Sequence, residues 1–176
     1  LIKPKISFRI NPGDMKNYKS TKRIINADNI FSINRLGITD SFEAGKSLTM
    51  GIKYKKTNLE DINKYFEAKI STVFRDKKEN FIPLSSTLNN KSSNIFGSIS
   101  YNKSENFKLD YDFIMDNDLD KFNLNSVSSE FNYKNFTTEI KFIEERGEIG
   151  NSNSMENNFE YNWDENNYIS FNTRRN

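Results

Sequence analysis

Apolar and polar side chains alternate with a period of two along most of this chain. The alternation comes in segments of about nine to eleven residues, the length of a strand that crosses a membrane at a tilt. Successive strand residues point to opposite faces, so each segment has one apolar and one polar face. About nine such segments can be read. In the first, Ile6, Phe8 and Ile10 share a face opposite Ser7 and Arg9. The second, from about Ser41 to Lys55, groups Phe42, Ala44, Leu48, Met50, Ile52 and Tyr54 against Glu43, Ser47, Thr49 and Lys53. The third sets Phe66, Ala68, Ile70, Thr72 and Phe74 against Glu67, Lys69, Ser71 and Arg75. The most regular places Phe107, Leu109, Tyr111, Phe113 and Met115 opposite Lys108, Asp110 and Asp112. Others cover residues 95–101, 127–133, 136–142, 159–163 and 169–173, the seventh with Glu139 and Lys141 on its polar side.

The connections alternate too. Short turns fall at 103–106, 134–135 and 164–167, with a medium turn at 57–63; Asn and Asp suit such turns because they tolerate positive φ. Between them lie longer polar loops at 11–40, 76–93, 116–123 and 145–154. Short turns on one rim and long loops on the other mark an up-and-down outer-membrane barrel, with the short rim toward the periplasm. Aromatic residues cluster beside the short turns (Tyr54, Tyr101, Phe107, Tyr133, Phe136, Trp163 and Tyr168), where an interfacial girdle belongs. The expected fold is therefore all-β, an antiparallel transmembrane β-barrel segment of about nine strands. Both ends read as cut, so residues 1–176 are expected to be part of a single larger barrel domain.

Composition narrows the alternatives. No apolar run approaches the roughly 18–20 residues of a membrane helix, so a membrane-crossing chain of this kind must be a barrel. A mean hydropathy of −0.80 is compatible with one, because only every second strand residue faces lipid. A soluble β-sandwich would also alternate, but hydrophobic residues make up only 35% of the chain, too few for a dry double layer. The net charge of +2 is too balanced for a nucleic-acid partner. Cysteine and histidine are both absent, which removes disulfides, thiolate metal sites and the usual general base from this segment. No cofactor, metal or enzymatic activity is expected.

Three sets of residues carry candidate function. Arg9, Glu43, Lys53, Glu67, Lys69, Arg75, Lys108, Asp110, Asp112, Glu139 and Lys141 should face a wet lumen, either as plain solvated lining or as a path for a phosphorylated amphiphile. The Asp110–Asp112 carboxylates could bind a cation or a proton, but no third ligand accompanies them. The long loop 11–40 carries Lys16, Lys19, Lys22 and Arg23, then Asp28–Asp40, DNIFSINRLGITD. Within it Asp28, Asn29, Phe31, Asn34 and Arg35 are extracellular-loop candidates. Ile30, Phe31, Ile33 and Leu36 are too apolar for a fully solvated loop and should fold back onto the strands.

Several stretches carry a family resemblance: PKISFRINPGDM (Pro4–Met15), DNIFSINRLGITDSFEAGKSLTMGIKY (Asp28–Tyr54), FIPLSSTLNNKSSNIFGSISY (Phe81–Tyr101) and SFNTRRN (Ser170–Asn176). In that order they resemble the barrel of the LptD (OstA) family of lipopolysaccharide (LPS) assembly proteins; residues 102–167 match mainly as a strand pattern. The resemblance implies a Gram-negative outer-membrane barrel that places LPS in the outer leaflet. It also implies an LptE-like plug lipoprotein and periplasmic LPS-bridge proteins as partners, and a lateral gate outside this segment. The basic loop residues would then meet LPS phosphates at the cell surface. The rival function is a general porin or transporter barrel.

Overall fold

A computed structural model describes residues 1–164 and 167–176. Nine strands follow one another: β1 (Ile2–Asn11), β2 (Gly45–Thr57), β3 (Tyr65–Arg75), β4 (Ile95–Ser104), β5 (Phe107–Met115), β6 (Phe122–Tyr133), β7 (Phe136–Glu145), β8 (Ser152–Asn162) and β9 (Tyr168–Arg175). Each pairs antiparallel with its sequence neighbours in a single sheet ordered β1 to β9. Among the described residues no other pair of strands meets, so the sheet is open, with β1 and β9 at its edges. A one-turn 3-10 segment at Leu84–Ser86 interrupts the loop before β4. No helix among the described residues is long and apolar enough to cross a membrane, which says nothing about crossing by strands.

The loop alternation read from the sequence is present. Residues 12–44, 76–94, 116–121 and 146–151 connect strands at one end of the sheet, and shorter turns connect them at the other. In the two-residue turn 134–135 the positive φ falls on Lys134 rather than on the asparagine. The turn expected at 164–167 includes residues 165–166, which lie outside the described residues.

Register converts the alternation into two continuous faces. Ile52 sits opposite Ile70, Ile70 opposite Gly97, and Gly97 opposite Phe113, all on the apolar face. Lys53, Lys69, Ser98, Asp112, Ser126 and Ile143 form the corresponding row on the other face. The loops cover only this second, polar face, called the inner face below. The apolar face stays bare: Ile6 is 70% exposed, Phe8 65% and Phe171 63%. At the short-turn end it carries neighbouring aromatic pairs, Tyr54 with Phe66, Tyr101 with Phe107 and Phe136 with Phe159.

A compact core nevertheless exists, and it lies on the inner face. Near the long-loop ends of β3 to β6 the polar face turns apolar at Val73, Phe96, Ile114 and Leu124. Onto this patch fold Ile25, Ile30, Leu36 and Ile38 from the first loop, Ile82 and Leu88 from the second, and Ile149 from the last. Ile30 and Leu36 are buried as expected and Phe31 is half-buried, but Ile33 is 90% exposed. The second strand starts at Gly45, later than the sequence indicates. Before it, the Ala44 carbonyl accepts from Arg75 instead of a ladder N–H, which leaves Phe42 exposed in the loop and draws Ala44 into the core.

On the apolar face the Phe113 ring lies against Gly97, where a Cβ would come within 2.0 Å of a ring carbon. The ring shields a strand glycine that has no side chain to pack. Gly97→Val should therefore destabilise the protein by about 1–3 kcal/mol through overpacking. Phe113→Ala added to it should recover part of that loss, measured as the midpoint of urea unfolding.

Candidate functional site: a loop latched over a charged sheet face

The first long loop is held down at its end by one carboxylate. Glu43, whose side chain is 5% exposed, accepts bonds from three arginines. Arg35 grips it two-pronged, Nε to Oε2 at 2.7 Å and Nη2 to Oε1 at 2.5 Å. Arg9 of β1 adds a bond to Oε2 at 2.6 Å, and Arg75 of β3 one to Oε1 at 2.5 Å. Each carboxylate oxygen thus accepts two charge-assisted bonds, the strongest class of protein hydrogen bond. Other guanidinium donors bond Thr49 Oγ1, Ser47 Oγ and the carbonyls of Ser32 and Ala44, while Arg75 Nε is buried without a partner among the described residues. Burial by itself would push the Glu43 carboxyl upward. The Arg35 bonds, with the charges of Arg35, Arg9 and Arg75, outweigh it and hold the group below the ordinary glutamate range.

A second set of contacts carries the loop across the sheet. Lys22 bonds Glu145 at the end of β7, at 2.7 and 2.9 Å. The Arg23 backbone N–H and carbonyl both bond the Ser85 hydroxyl, tying the loop to residues 76–94. Asp28 pairs with Lys69 of β3 at 2.5 Å. The Phe31 ring approaches the sheet at Gly51, where a Cβ would sit 3.0 Å from it, and Lys5 lies 5.4 Å from the ring centre. At the loop's outer edge Asp40 accepts from Lys16 and from the Tyr18 hydroxyl, which keeps its carboxyl below the ordinary range.

The residues singled out from the sequence therefore separate by role. Arg9, Glu43, Arg75 and Arg35 converge in the latch. Asn29 and Asn34 are used within the loop, Asn29 bonding the Asn26 backbone N–H and Asn34 the Ile38 backbone. Lys53 and Lys69 meet on Glu67, each at 2.8 Å. Asp110 pairs with Lys108 of its own strand at 2.9 Å. Asp112 forms no ion pair among the described residues, and no set of three acidic side chains there could hold a metal. Glu139 and Lys141 line a small inner-face cavity of about 140 Å³ with Glu156, Asn158 and Asn172. Sequence reasoning missed Glu145, Ser85, Ser47 and Thr49 as loop anchors. The alternation had placed Ser47 and Thr49 on the correct face, but only folding supplies their partners.

Because the folded-state value of Glu43 is depressed, its stabilisation is complete above its ordinary value of 4.5 and is lost as pH falls through the lower folded value. Hydrogen exchange of residues 24–38, corrected for intrinsic rate, should stay slow at neutral pH and accelerate below that range. Glu43→Gln should open the loop already at pH 8, since removing one partner of a buried ionic group costs about 3–5 kcal/mol. Trypsin would then cut after Arg35, which is fully buried in the latched loop; resistance equal to wild type would contradict the latch.

A family model described as LptD, LPS transport system D, matches residues 1–163, a span that contains the latch, the loops and the first eight strands. No curated protein matches the chain.

Proposed function

This chain belongs to the LptD family, and on that premise we propose that its strands form part of the wall of a Gram-negative outer-membrane barrel that delivers LPS to the outer leaflet. The family is one of transport and assembly proteins of the outer membrane rather than of enzymes. The observation that carries the proposal is the pair of unlike sheet faces. The apolar face carries exposed large apolar side chains on every strand but β5, where they are half-buried, while the loops pack on the other face, the arrangement required of a wall between lipid and a wet interior.

In this reading residues 1–176 belong to one barrel domain. The exposed backbone edges of β1 and β9 would pair with further strands, since unpaired N–H and C=O groups are not tolerated in lipid. Inner-face residues such as Lys53, Lys69, Asp110, Asp112, Glu139 and Lys141 would solvate the sugars and phosphates in transit. The latched loop 12–44 would close the extracellular side, with Lys16, Lys19, Lys22 and Arg23 nearest the cell surface. An LptE-like lipoprotein and the periplasmic LPS bridge would be its partners. The closed inner face near the long-loop end favours a guarded conduit over an open general porin.

A pair of arginine substitutions tests this. Ile70→Arg, on the apolar face, should cost about 2–4 kcal/mol in lipid, lowering the amount of folded protein in the outer membrane and the delivery of LPS to the surface. Ser128→Arg, on the inner face between Asp110 and Lys141, should be tolerated in both measurements. Equal tolerance of the two would remove the support for a membrane wall.

A further inference from the structure

The charges of the inner face are segregated. On the β1–β3 side, register sets Lys3 directly opposite Lys53, and Lys53 directly opposite Lys69. Directly opposed residues hold their Cβ atoms about 4.5–5.5 Å apart, and like charges so placed are destabilising. Three ammonium groups therefore stand in a row across three neighbouring strands, with Lys5 and Lys55 one step to either side. Among the described residues two carboxylates pair with this group: Glu67, which bonds Lys53 and Lys69 and lies 3.6 Å from Lys55, and Asp28 from the loop, on Lys69; Asp112 stands further along the same row, across Ser98. Among the described residues Lys3 and Lys5 have no carboxylate partner. A cavity of about 150 Å³ opens between Lys5, Lys53, Lys69, Asp28 and Phe31.

Further along the sheet, on β6 and β7, an acidic pair stands among cations, with Lys108 of β5 directly across from Glu130 and Lys141 beside Glu139. Glu130 of β6 sits directly across from Glu139 of β7, again a like-charged pair, but acidic. Both rows lie toward the short-turn end of their strands. The acidic pair has a lysine directly beside it in its row, whereas the lysine row runs like-charged over three strands and is left with more cations than the carboxylates paired with it neutralise.

We propose that the Lys3–Lys53–Lys69 row is a binding site for the phosphate group of a phosphorylated glycolipid, while the like-charged Glu130–Glu139 pair makes β6–β7 the poorer place for the same group. The proposal rests on the reading of the inner face as an LPS conduit and names the part of that face that reads the cargo. A phosphate monoester carries nearly two negative charges and three acceptor oxygens. Lysine ammonium groups act on phosphate as point charges without demanding a fixed plane, which suits a cargo that must move on. The 150 Å³ recess beneath the loop is lined by Lys5, Lys53 and Lys69, and a phosphate entering it would compete with Asp28 for Lys69.

The test uses the full protein in its native membrane, with Ser100→p-benzoylphenylalanine as a photo-crosslinker. Ser100 lies on the inner face directly opposite Glu67 and Asp110. Adducts are counted per folded molecule with bis-phosphorylated lipid A and with its dephosphorylated form. Lys53→Gln with Lys69→Gln should lower the phosphorylated adduct about ten-fold, the effect expected on losing charge-assisted hydrogen bonds. Lys53→Arg with Lys69→Arg should retain it, and Glu130→Gln with Glu139→Gln should not reduce it. The dephosphorylated lipid should react weakly in every version. Displacement of the adduct by excess inorganic phosphate would identify free phosphate as a ligand too; its persistence would restrict the site to lipid-borne phosphate. Adducts that form equally well without the lysines, or without the phosphates, overturn the phosphate site and leave the conduit standing. The absence of adducts from the folded protein with either lipid overturns the conduit and the site together.

Discussion

Everything in this molecule is arranged around an apolar sheet face that the chain itself never covers. A soluble antiparallel sheet buries its apolar side and wets its polar one. Here the long loops, which could have covered Ile6, Phe8, Ile70 and Phe171, fold onto the opposite side and take their own apolar residues with them. Soluble monomers rarely expose more than a few hundred Å² of contiguous apolar surface. A face of this kind across nine strands needs an apolar medium against it, and the aromatic pairs at its short-turn end sit where that medium would meet water.

The same constraint explains the inner face. With the outward side chains left uncovered, loop anchoring falls to the inward set. At the long-loop end, Val73, Phe96 and Ile114 replace polar residues, and the loops use them as the floor of a small core. That core would not fix the entry into β2 alone. Glu43 does so by drawing guanidinium groups from β1, from the loop and from β3 to one point. Burying such a cluster gains little net stability over an apolar alternative, but breaking it is costly, so it fixes which conformation the loop adopts. Toward the short turns the cover thins to Asp28 and Phe31 over Lys69 and Gly51.

Much of this was legible in the sequence because period-two alternation is a local signal. Each of the nine strands could be found, the face of nearly every strand residue followed from parity, and the loop alternation was visible as spacing. The apolar residues of the first loop marked it as a packed element. What could not be read was anything that depends on residues far apart meeting. Val73, Phe96 and Ile114 break the polar pattern one at a time, and only the register brings them together under the loops. Arg35 looked like a surface cation and is fully buried, because its partner Glu43 stands eight residues later at the mouth of a strand that starts late. Asn29 and Asn34, singled out only as loop residues, serve the loop's own backbone, which a tight loop must satisfy first.

The central claim is that the two sheet faces meet different media, and the absence of cysteine from this chain makes it convenient to measure. Single cysteines would be placed in the full protein at apolar-face positions Ile6, Ile70 and Leu109 and at inner-face positions Ser98, Ser126 and Ser128, and membranes would be exposed to a water-soluble maleimide. The account predicts slow labelling of the first three until the membrane is dissolved, and labelling of Ser126→Cys and Ser128→Cys in intact membranes, with Ser98→Cys slowed by the loop above it. Labelling of Ile6→Cys, Ile70→Cys and Leu109→Cys in intact membranes as fast as that of Ser126→Cys would contradict it.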